Sequence, residues 1–81
     1  MKLSNFEKWQ QAKSVAEELE MNGVFSDAQA AIEEAIDLAA DNHAPFCIVR
    51  AKDLLGVVSR AVCEKHGLTA LETITPTWEA A

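Results

Sequence analysis

Apolar residues recur at every third or fourth position through the first half of the chain, the spacing that predicts helices with one buried face. Phe6, Trp9, Ala12, Val15, Ala16 and Leu19 form the first stripe, with Ser4 and Glu7 as a capping box before it and Asn22-Gly23 as a closing signal after it. This sets a helix over residues 4–22. A second stripe, Ala28, Ala31, Ile32, Ala35, Leu38 and Ala39, follows Ser26 and Gln29, which read as another capping box with Phe25 packing back on the first turn. The second helix is expected over 26–42. Because Gly23-Val24-Phe25 is a short link, the two helices are expected to be antiparallel neighbours with an alanine-rich inner face and Trp9 in the core.

After His43-Ala44-Pro45 the pattern changes. Phe46-Cys47-Ile48-Val49 and Leu54-Leu55-Gly56-Val57-Val58 are short apolar runs on either side of Lys52-Asp53, which predicts a β-hairpin. Ser59 to His66 is expected as a short helix stopped by Gly67, and Leu68 to Thr75 as a third strand ended by Pro76. The fold class is therefore α+β: two N-terminal antiparallel helices packed on a sheet of about three strands, with a short helix before the last strand. The alternative for residues 45–75 runs one long helix from Pro45 to His66 and gives an all-α three-helix bundle. Gly56 and the β-branched pairs Ile48-Val49 and Val57-Val58 weigh against it. Residues 76–81 are a tail carrying Trp78, an aromatic anchor for the core or for an interface.

Eighty-one residues support one globular domain with a modest core. No secretory pattern opens the chain and no apolar run is long enough for a membrane helix, so a cytoplasmic protein is expected. Its two cysteines are then expected as thiols.

Charge sharpens the picture. Residues 1–49 hold nine acids and three bases, a net −6, whereas the remainder holds four of each and is neutral. No Lys or Arg lies between Ser14 and Val49. Within that span Glu33, Asp37 and Asp41 repeat every fourth residue, where like charges on a helix repel. Such a ridge disfavours direct binding to nucleic acid and favours a basic partner. Its carboxylates stand about 6 Å apart along the helix, so the ridge presents regularly spaced negative charge as a phosphate backbone does. Glu34 flanks it, and Glu17, Glu18 and Glu20 are expected to widen it from the first helix. The bland reading of the same carboxylates is a solvated face that keeps the chain soluble.

Candidate chemistry is sparse. His43 with Cys47 and Cys63 with His66 have spacings seen at zinc sites, which makes a zinc-stabilised or regulatory domain the main alternative, although the order of ligands departs from the usual Cys-first patterns. The plain reading makes both cysteines small buried apolar residues and places His66 at a helix C-terminus. Neither cysteine has an identifiable orienting group or oxyanion site, and three isolated glycines form no phosphate loop, so no catalytic residue and no cofactor are expected.

In size and charge the chain looks like the small acidic inhibitors that phages and mobile elements encode against host defence complexes, anti-CRISPR proteins among them; the likeness is one of composition and includes no motif. It implies a non-catalytic module that occludes the basic, nucleic-acid-binding surface of a larger protein complex. The partner-binding residues expected on this reading are Glu17, Glu18, Glu20, Glu33, Glu34, Asp37, Asp41 and Trp78. A further alternative is a self-associating subunit, a homodimer that pairs an open sheet edge.

Overall fold

The computed structural model describes residues 5–76, and it is α+β. Helix α1 spans Asn5–Glu18, strand β1 Val24–Phe25, helix α2 Ala28–Asn42, β2 Phe46–Ala51, β3 Leu54–Ser59, α3 Arg60–Lys65 and β4 Glu72–Ile74. The four strands are ordered β1-β3-β2-β4, every neighbouring pair antiparallel. The expected hairpin is β2–β3, turning at Lys52 and Asp53 with Lys52 in the left-handed region at φ 57°. A strand pair through Phe46–Ala51 and Leu54–Ser59 excludes the long-helix alternative.

Strand alternation sorts the side chains into two apolar layers. Phe46, Ile48 and Val57 project to one side, where Ala31, Ala35 and Ala39 of α2 meet them, with Phe25, Ile32, Leu38, Leu55 and Ile74 packed around. Cys47, Val49, Ala51, Leu54 and Val58 project to the other. There Ala12 and Ala16 of α1 cover Val24, Ala51 and Leu54, and Cys63 of α3 covers Cys47, Val49 and Val58. The sheet thus lies between α2 on one face and α1 with α3 on the other. Alanine stripes bring both long helices close to the strands, but onto opposite sides rather than against each other as a helical hairpin.

The reason lies in the link. Asn22 donates its N–H to Val57 O at 2.7 Å, Gly23 O accepts from Val57 N at 3.2 Å, and Val24-Phe25 pairs with Gly56 and Leu55 as an edge strand. The chain therefore crosses the sheet edge between the helices, and the sheet has four strands rather than about three. Since Asn22-Gly23 is engaged there, α1 closes earlier than expected, at Glu20. That residue takes φ 59°, while Met21 N bonds Ala16 O at 2.8 Å and Glu20 N bonds Glu17 O at 3.4 Å, the paired bonds of a Schellman ending. Gly67, at φ 65°, ends α3 in the same way and as expected, with Leu68 N on Cys63 O at 2.9 Å.

Three further expectations shift. Asp27 and not Ser26 caps α2, its Oδ2 accepting from Ala30 N at 3.1 Å. The last strand is confined to Glu72–Ile74. Trp9 is 38% exposed and Phe6 69%, so the aromatic end of α1 overhangs the sheet instead of filling the core. Ser4 lies outside the described residues, as does Trp78.

Candidate functional site

The outer face of α2 begins with what its inner face needs. Ala31, Ala35 and Ala39 are small enough to let the helix axis sit close to β2 and β3, and all three are buried. At about 100° per residue, positions 33, 37 and 41 lie about 200° round the helix from that stripe. Glu33, Asp37 and Asp41 are accordingly all exposed, directed away from the sheet. Glu34 flanks them, half-buried, and Ile36, 46% exposed, lies on the opposite flank.

No Lys or Arg among the described residues pairs with the ridge. Among the described residues, the Lys and Arg ion pairs are Arg60–Glu64 and Lys65–Glu20, neither of which reaches α2. Glu33 accepts a weak 3.4 Å bond from Gln29 Nε2, one turn earlier. No acidic residue occupies the first turn of α2, where the helix dipole would favour it, and no basic residue occupies the last. Asp41 sits in that last turn, where the dipole disfavours it. Four of the net −6 charges thus stand on one helix, on the face turned to solvent and on its flank.

The first-helix carboxylates do not join this surface. Glu17 and Glu18 belong to α1, across the sheet from α2. Glu20, expected to widen the ridge, is taken up by the other half of the chain: its Oε2 accepts from Lys65 Nζ at 2.7 Å and lies 3.0 Å from His66 Nε2. Those contacts, the Lys65 hydrogen bond first and the His66 bond next, hold the Glu20 carboxyl below its ordinary value of 4.5. This pairing joins residues 45 and 46 positions apart, and no spacing rule in the sequence signals it.

The His and Cys set divides as well. Cys47 of β2 and Cys63 of α3 meet in the buried cluster between strand and helix. His66 ends α3 and turns to Glu20, and His43 closes α2 in the left-handed region at φ 52°, on the far side of the sheet. Among the described residues no group of three or more His, Cys, Asp or Glu side chains is arranged to hold a metal ion. Of the four residues of the zinc alternative, the fold brings only the two thiols together.

A second surface lies at α1, around the Trp9 that periodicity assigns to the core. Trp9, Lys13, Ala16, Glu17, Met21 and Val24 line an open groove of about 480 Å³ between α1 and the β1 edge. It mixes one base with one acid, so it carries no charge preference comparable to that of α2. Among the described residues no helix is long and apolar enough to cross a membrane. Compared with known protein families, curated proteins and solved structures, the chain matches none.

Proposed function

We propose that this chain is a non-catalytic, cytoplasmic protein-binding module whose α2 ridge docks on the basic surface of a larger protein and there excludes nucleic acid. The observation that carries the reading is the row Glu33, Asp37 and Asp41, exposed, opposite a buried alanine stripe and without a Lys or Arg partner among the described residues. A row of like charges on one rigid helix favours a complementary basic strip, steering its approach and fixing its register. Its regular spacing suits a site that ordinarily grips phosphates, and the occluding action follows from occupancy of that site.

The docking surface on this reading is narrower than the sequence implies. It comprises Glu33, Glu34, Asp37 and Asp41, with Ile36 as an apolar contact beside them, and leaves out Glu17, Glu18 and Glu20. The test is partner capture from the native host by the tagged protein. The triple variant Glu33→Lys/Asp37→Lys/Asp41→Lys should lose the captured partner while keeping the circular dichroism of the parent, and Glu17→Lys/Glu18→Lys should retain it. Capture unchanged in the triple variant would remove α2 from the account.

A further inference from the structure

The two cysteines of the chain are 16 positions apart, yet the fold brings them together. Cys47 faces the α3 side of β2, beside Val58 in the register of the hairpin. Helix α3 starts directly after β3 on the cap of Ser59, whose Oγ accepts from Val62 N at 3.2 Å, and its one buried residue is Cys63. Both thiols belong to one buried cluster, and each has a polar neighbour: Cys47 Sγ is 3.7 Å from Thr73 Oγ1, and Cys63 Sγ donates to Leu68 O at 3.4 Å. Val49, Val58, Val62, Leu68 and Met21 enclose them.

We propose that Cys47 and Cys63 form a redox modification site, a dithiol that closes to an intramolecular disulfide between β2 and α3 by exchange with a small-molecule disulfide. One protein thiol loses its proton to solvent, and its thiolate attacks a sulfur of the disulfide RSSR. A mixed protein–S–S–R bond forms and RS⁻ leaves. The second protein thiolate then attacks the protein sulfur of that bond, forming the Cys47–Cys63 bond and expelling the second RS⁻. Two protein S–H groups are thereby oxidised, one RSSR is reduced, and the two released protons convert both RS⁻ to RSH.

Burial controls the rate. Cys47 is 2% exposed and Cys63 5%, and burial first, then the neighbouring Cys47, pushes the Cys63 thiol up from its ordinary value. Thiolate is scarce in the closed fold. Exchange therefore proceeds through opening of α3, a helix of six residues, and the bridge once formed holds that helix down on the sheet. The site lies on the face opposite α2 and is independent of the docking surface proposed above.

The experiment incubates the full chain with oxidised glutathione under native conditions, alkylates residual thiols, and measures intact mass, peptide linkage and the urea midpoint. The expected product is a monomer lighter by two hydrogens, with residues 47 and 63 in one linked peptide and a native circular dichroism spectrum. Closing a loop of about 15 residues should raise its folding constant roughly a hundredfold, reversibly with dithiothreitol. Cys63→Ser should stop at the glutathione adduct of Cys47; the wild-type measurement decides the matter even where that variant fails to fold. Arrest of the wild-type chain at glutathione adducts, disulfide-linked dimers, unreacted thiols after full equilibration, or a bridge that abolishes the native spectrum would overturn the proposal.

Discussion

Asp37 is the residue at which stability and the proposed docking role oppose each other. It stands one turn from Glu33 and one turn from Asp41 on an exposed helix face, so it takes part in two like-charge pairs at four-residue spacing, with Glu34 a further acidic neighbour at three. Each such pair destabilises a helix by roughly 0.2–0.5 kcal/mol, and an opposite-charge pair at the same spacing stabilises it by a similar amount. Asp37→Lys reverses both pairs at once. The swing is about 1 kcal/mol, with a few tenths more because Lys is a better helix former than Asp. The two new pairs act unequally, since Glu33 lies N-terminal to the introduced ammonium, the preferred order, whereas Asp41 lies C-terminal to it. Urea unfolding at low ionic strength is the assay, with Asp37→Asn as the intermediate step. Wild type, Asn and Lys variants should rise in stability in that order, and the spread should shrink near 1 M salt, where the screening length of about 3 Å is shorter than one helical turn. The Lys variant should bind the partner less tightly while folding more tightly. A Lys variant no more stable than wild type at low salt would refute the argument that these carboxylates repel without compensation.

Other parts of the fold offer separate tests. Gly56→Ala would place a Cβ inside contact distance of Met21 Sδ, with Met21 Cε 3.2 Å and Cγ 3.4 Å away, so it should destabilise by about 1 kcal/mol. Met21 is flexible and half-buried, and the penalty should vanish in a Met21→Ala background; an equal penalty in both backgrounds would show that Met21 is not the obstacle. Asp27→Ala should lower the unfolding free energy, read from urea titration, by about 1 kcal/mol of lost capping, whereas Ser26→Ala should leave it unchanged, and the reverse order would move the cap back by one residue. Glu20 has a folded-state affinity for protons below the unfolded one, so its contribution is complete above pH 4.5 and is lost as pH falls through the depressed value. Glu20→Gln should therefore be less stable than wild type near neutrality and equal to it in strong acid; a gap that persists there would assign the loss to something other than the carboxylate.

Local signals in the sequence specified local structure well. The β2–β3 turn followed from Lys52-Asp53 between two apolar runs, and α3 followed from Ser59 as cap and Gly67 as stop. The outward row on α2 followed from period alone, because burial of Ala31, Ala35 and Ala39 leaves positions 33, 37 and 41 nowhere else to go. Interactions between distant residues were not legible. Asn22-Gly23 is the stronger left-handed signal, but Val57, more than thirty residues later, draws it into the sheet and leaves Glu20 to close the helix. Trp9 has the right period for a core residue, yet α1 contributes Ala12 and Ala16 to the strands and extends past their edge, which leaves its aromatic end at the rim.

The largest difference concerns which face each helix covers, and it has a consequence for charge. An alanine stripe states only that a helix approaches something closely; it does not distinguish a second helix from a sheet, nor one side of a sheet from the other. With both long helices on one side, their carboxylates would form a single broad field and the charge of residues 1–49 would act as one. With β1 carrying the chain across the edge, the α1 side instead mixes Lys8, Lys13, Arg60 and Lys65 with Glu7, Glu17, Glu18, Glu20 and Glu64, while α2 holds four acids and no base. The molecule is therefore polarised through the thickness of the sheet. Such a charge distribution orients as well as attracts: a basic surface meets α2 first, and the same surface gains little from α1. The separation also explains why Glu20 can be neutralised by Lys65 and His66 without weakening the ridge, since that cluster lies with α1 and α3 on the other side.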